Sequence, residues 1–210
     1  PFIAGTSIQW CWDSTSLGWF KTCPRYYQYS MIEGWRSKSD HTALTFGIHY
    51  HKGLEIYDHL RAGGMEYEDA LRETVRQTLV ISYGWDSEET NRNRENLVRS
   101  VIWYIEEFRY HEMQTVILAN GKPAVELSFK MGLDYGPSAW PDQPYYLSGH
   151  LDRIASFSDE TYVVDRKTTT TTLSPHYFRQ YEPHNQMSLY TVASQVVIAS
   201  PVSGVIIDAA

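Results

Sequence analysis

As far as Tyr110, the apolar positions of the chain recur every three or four residues, the period of a helix with one buried face. Leu17, Phe20 and Tyr27 keep that spacing but Pro24 interrupts it, so Ser14 to Trp35 reads as two short helices meeting at Cys23-Pro24. Leu44, Ile48, His51, Leu54, Glu55 and Asp58 predict a helix over about Thr42 to Leu60, ended by Gly63 and Gly64. Ala70, Leu71, Val75 and Leu79 predict another over Glu66 to Ile81, and Leu97, Ile102, Ile105 and Phe108 a further one over Asn91 to Tyr110. After Asn120-Gly121 the period changes. AVELSF, YLSGHLDRIAS and TYVVDRKT alternate or are rich in β-branched residues, with SFSDET as a turn between the last two. Pro183 to Val197 returns to helical spacing, and VSGVIIDA closes the chain as an apolar strand. Thr168 to Thr172 reads as a strand end or loop. Helices, three strands, a helix and a strand predict a mixed α/β (α+β) fold around one sheet.

Composition fits this picture. At 210 residues, with 42% hydrophobic and 20% charged residues and a mean hydropathy of -0.41, the chain is expected to be a globule rather than a disordered or fibrous segment. It is expected to form one domain over 1–210, helical over about 14–118 with a sheet core over about 123–210. No apolar stretch approaches the roughly 20 residues of a spanning helix, and the opening residues lack a secretory signal, so no membrane partner is expected. The net charge of -7 gives no general attraction to nucleic acid, although a basic groove or bound cations can reverse the sign locally. Two cysteines form neither a disulfide framework nor, unaided, a metal site, which favours a reducing, cytoplasmic setting. The first residue is Pro1 and the chain stops at Ala210 just after an apolar run, so a piece of a longer protein, truncated at the carboxyl end, is expected.

Chemistry concentrates in SGHLDRIASFSDETYVVDRKT. Asp165 and Lys167 lie two apart in a strand and so share a face, and the turn can bring Asp152 beside them. Two carboxylates and an ammonium can hold a hard divalent ion such as Mg²⁺ against a phosphodiester, with the lysine orienting a water. Taken alone, Asp165 and Lys167 could equally be a surface salt bridge.

Five separated segments resemble the PD-(D/E)XK nuclease superfamily, specifically the branch containing Cas4 and the nuclease modules of RecB and AddB. Ser14 to Tyr27 is similar to the branch's amino-terminal S-x-S-x-l-x-x-f-x-x-CPr-x-y signature, and Gly47 to Glu55 to its G-x-x-x-H-x-x-l-e helix. Glu126 stands where the family carries a strand glutamate. Gly149 to Ile154 and Val164 to Thr168 match G-x-x-D-r-i and v-D-y-K-T, with Arg166 in place of the common aromatic. Gln186 to Tyr190 resembles Q-x-x-x-Y, whose spacing puts both side chains on one helix face.

The resemblance implies a restriction-endonuclease-like core, a central mixed sheet flanked by helices, and a Mg²⁺- or Mn²⁺-dependent deoxyribonuclease. His51, Asp152 and Asp165 would bind metal, Glu126 would contact metal or water, and Lys167 would position the attacking water. Gln186 and Tyr190 would hold the DNA strand, with Arg153 and Arg166 among the flanking basic residues that contact it. The expected partner is DNA, as single strands or duplex ends, cut by an exonuclease in recombination, repair or phage DNA processing in a prokaryotic or phage-infected cell. A restriction-like or structure-specific endonuclease and a non-cleaving DNA-binding scaffold are the alternatives on this fold. With no G-x-x-x-x-G-K-[ST] loop, unwinding would need a helicase on another chain. Many relatives hold a 4Fe-4S cluster through one amino-terminal and three carboxyl-terminal cysteines. Cys11 or Cys23 matches only the first, so no cluster is expected in this chain.

Overall fold

The computed structural model describes residues 1–38, 41–85, 87–133 and 144–210. The amino-terminal third starts with a two-residue strand, β1 (Cys11–Trp12), and helix α1 (Ser14–Thr22). Asp13 accepts the Ser16 N–H at 2.6 Å and Ser16 Oγ accepts the Asp13 N–H at 3.1 Å, a reciprocal cap that fixes where α1 begins. The expected break at Cys23-Pro24 is present. Cys23 ends α1, and its Sγ accepts the Tyr26 N–H at 3.4 Å to start α2 (Pro24–Tyr27), with proline at the first helical position where no N–H is needed. A π-helical turn follows over 28–32.

Three longer helices, α3 (Thr42–Ala62), α4 (Tyr67–Ile81) and α5 (Arg94–Glu107), match the periodic segments. Helix α5 starts later than its apolar spacing suggests because Asn93 accepts the Asn96 N–H at 2.9 Å and caps it there. Phe46, Tyr50, Leu54, Leu97, Val101 and Ile105 form the core between α3 and α5. Gly53 lets α3 approach its neighbours. A Cβ there would lie 2.9 Å from Thr78 Oγ1 and 3.1 Å from Val101 Cγ2, closer than van der Waals contact. Gly53→Ala should therefore destabilise the fold by about 1–3 kcal/mol through overpacking, measured as a lower urea midpoint with unchanged slope.

The second half holds β2 (Gln114–Thr115), β3 (Val125–Gly132), β4 (Tyr146–Phe157), β5 (Glu160–Lys167), a short helix α6 (Pro175–Phe178), α7 (Asn185–Ile198) and β6 (Gly204–Ala209). They form a six-stranded mixed sheet in which β4 is the hub. Strands β2, β3 and β5 run antiparallel to β4, whereas β1 pairs with it in parallel. Strand β6 pairs in parallel with β5, and α7 lies in the connection between them. A second core forms where Leu189, Tyr190 and Ala193 of α7 meet Phe129, Ile154 and Val163 of the sheet. Two-residue β1 and β2 were not expected, since they are too short to show a period and exist as partners for β4. Among the described residues no helix is long and apolar enough to cross a membrane.

Candidate active site

The sheet register brings the acidic residues into one row. Val125 pairs with Arg153 and Leu127 with Leu151, which leaves Glu126 level with Asp152 across β3 and β4. Glu126 has a φ of 50°, a left-handed conformation that costs about 1–3 kcal/mol in a non-glycine residue and interrupts the extended backbone of β3. The β4–β5 ladder has its last pair at Arg153 and Val164. Beyond it, the Asp152 carboxylate stands in for a backbone acceptor, and its Oδ2 accepts the main-chain N–H of Arg166 at 2.9 Å.

From the helical side, α3 delivers His51, whose Nδ1 lies 3.4 Å from Asp152 Oδ2. One ligand atom from each of His51, Glu126 and Asp152 lies within 4.8 Å of the others. An imidazole and two carboxylates suit a hard or borderline divalent cation. Asp165 stands beside this trio but is turned to Lys167, with Oδ1 accepting from Nζ at 2.9 Å and Oδ2 ion-paired to it at 2.7 Å. Nζ also donates to Gln186 Oε1 at 3.1 Å, and Gln186 Nε2 donates to Tyr190 Oη at 2.8 Å. Lysine 167 is thus held from two sides, with its side chain still 26% exposed.

Burial sets the charges. Loss of water pushes the Glu126 carboxyl up to about 7, helped by the neighbouring Asp152 and Glu55. The same effect raises Asp165 to about 6 against the pull of Lys167. Burial lowers the His51 imidazole from its ordinary value although Asp152 opposes the change, so its neutral, ligating form prevails at pH 7. Both acids are neutral below their raised values and charged above them. Protons and a cation compete for the same oxygens, so Mn²⁺ affinity should fall about tenfold for each pH unit below about 7. Calorimetric titration between about pH 8 and about pH 5.5 checks this, and a flat profile would place Glu126 outside the site.

The expected residues divide into two groups. His51, Glu126, Asp152, Asp165, Lys167 and Gln186 converge as described. Tyr190 is buried, 6% exposed, accepts from Gln186 Nε2 and lies close enough to Asp165, Asp152 and Glu126 to feel their charge. Arg166 does not fit the expectation of a DNA contact: its side chain is 3% exposed and ion-paired to Asp58 at 2.7 Å, so only its backbone faces the site. Arg153 likewise turns to Asp58 at 3.7 Å and to Thr115 Oγ1 at 2.9 Å. Adjacent residues in a strand point to opposite faces, which sends Arg166 away from Asp165 and Lys167. Cys23 serves as a helix cap and Cys11 donates to Ser148 Oγ at 3.3 Å. The sequence reading passed over His184, which caps α7, accepts the Gln186 N–H at 3.3 Å and lies close enough to Lys167 to feel its charge. A histidine two residues ahead of Gln186, just outside a predicted helix start, was the available signal.

A family model described as the PD-(D/E)XK nuclease superfamily matches residues 14–204. No curated protein matches the chain.

Proposed function

Because the chain belongs to the PD-(D/E)XK nuclease superfamily, we propose that it is a Mg²⁺- or Mn²⁺-dependent DNA exonuclease of the branch containing Cas4, RecB and AddB, acting on single strands or duplex ends. The observation that carries the proposal is the convergence of His51, Glu126 and Asp152 within 4.8 Å, next to the paired Asp165 and Lys167. The first three residues would hold the ion, with Asp165 adjacent to it. A divalent ion held there would polarise a phosphodiester and make a bound water more acidic.

The protein's own part is alignment and charge. Asp165 and Gln186 fix the Lys167 ammonium, which orients the attacking water and offsets the negative charge that builds on the phosphate oxygens. Tyr190 keeps Gln186 in place. The setting is DNA recombination, repair or phage DNA processing, with any unwinding supplied by another chain.

The test is incubation of end-labelled linear and circular DNA, single- and double-stranded, with Mg²⁺, Mn²⁺ or EDTA. Degradation of linear substrates alone, abolished by EDTA, is the expected result. Equal cutting of circles would replace the exonuclease reading with an endonuclease, and activity in EDTA would end the metal mechanism.

A further inference from the structure

Behind the catalytic strand lies a cavity of about 550 Å³ that the chemistry above does not use. It sits between the carboxyl-terminal ends of α3 and α5 and the side of β5 and β6 that carries Val164, Arg166 and Asp208. Its volume is that of a small-molecule site, for which about 300–1,000 Å³ is usual.

Its wall is positive in a protein of net charge -7. Arg61, Arg109, Arg153 and Arg166 line it with Asp58 and Asp208, and Arg109 is also ion-paired to Glu68 at 3.3 Å, which leaves an excess of one positive charge. Arg166 is deeply buried, and its Nε makes no hydrogen bond among the described residues, with Asp208 Oδ2 at 3.6 Å as an ion pair only. The rings of Tyr57, Tyr104 and Phe108 line the same space.

We propose that this cavity binds a 5′-phosphorylated nucleotide, with the phosphate among the arginines and the base against the aromatic rings. A phosphomonoester carries about 1.5 to 2 negative charges at neutral pH and is drawn to a wall with an excess of positive charge. Guanidinium groups suit its oxygens through paired, charge-assisted hydrogen bonds. The cavity also touches the catalytic row through one residue, since the Arg166 main chain holds Asp152 while its side chain lines the opposite side. Binding here does not depend on the nuclease reading, and the test separates the two.

Calorimetric titration of the full chain in EDTA uses thymidine 5′-monophosphate, thymidine, inorganic phosphate and a 5′-phosphorylated oligothymidylate. The monophosphate should bind more tightly than either thymidine or phosphate. Arg61 and Arg109 are exposed, so their loss should leave the fold intact, as circular dichroism would verify. Arg61→Gln and Arg109→Gln should each weaken binding about tenfold, the loss of one charge-assisted contact. Lys167→Ala should bind like the wild type, which distinguishes the cavity from the active site. The oligothymidylate identifies the source: equal affinity assigns the cavity to a phosphorylated strand end, and exclusion assigns it to the free nucleotide. Affinity no better than that of phosphate alone, no change in either arginine variant, or loss in Lys167→Ala would overturn the proposal.

Discussion

Lys167→Ala should lower the rate of DNA cleavage by about 10²–10³-fold at saturating metal, the usual effect of removing one preorganised electrostatic group. The ammonium is unusually well fixed for a lysine, gripped by both Asp165 oxygens and by Gln186, so little reorganisation is needed when charge develops on the phosphate. The same substitution leaves the Asp165 carboxyl, 1% exposed, without its cation, and that carboxyl will then take up a proton more readily. A melting curve is therefore part of the experiment, and Lys167→Arg is its companion, keeping the charge but changing its reach. Single-turnover cleavage and DNA binding should separate, with the rate lost and affinity nearly kept. A drop in affinity that accounts for the whole effect would make Lys167 a DNA contact and nothing more.

The largest effect on stability is expected at Asp58, away from the chemistry. Its carboxylate is 5% exposed and faces Arg166 at 2.7 Å and Arg153 at 3.7 Å, tying α3 to β4 and β5. Asp58→Ala should cost about 3–5 kcal/mol in urea unfolding, because it leaves buried guanidinium charge unpaired rather than merely removing an attraction. Asp58→Asn, which keeps an acceptor oxygen, should cost less. A loss under about 1 kcal/mol for the alanine variant would mean that Asp208, the other carboxylate near Arg166, takes over the pairing.

These two residues illustrate what could be read in advance. Lys167 announces itself through a spacing of two in a β-branched run, because a strand has a period of two and puts Asp165 and Lys167 on one face wherever the strand goes. Asp58 appeared only as one more position in a helical repeat, and nothing in its neighbourhood along the chain reveals that Arg153 and Arg166 come to meet it. Arg166 was misjudged for the same reason: a positive charge next to Asp165 looks like a DNA contact until the pleat turns it inward. Glu126 lay between these extremes. Its place on a strand was legible, but its left-handed backbone and its level with Asp152 arise from the pairing of β3 with β4.

The sequence by itself determined the elements and their order, since helical and strand periods, Pro24 after Cys23 and the glycines after α3 all act within a few residues. The spacing of Asp152, Asp165 and Lys167 was legible in the same way, whereas His51, Glu126, Gln186 and Tyr190 were expected only through the resemblance to the nuclease family. The tertiary structure decided which groups stand close enough to hold a cation and which pair with each other: His51, Glu126 and Asp152 on one side of the sheet, Asp165 with Lys167 beside them, Arg166 with Asp58 behind. Such partnerships depend on register and on helix docking, set by burial and cross-strand hydrogen bonds between residues far apart along the chain, and no local pattern encodes them.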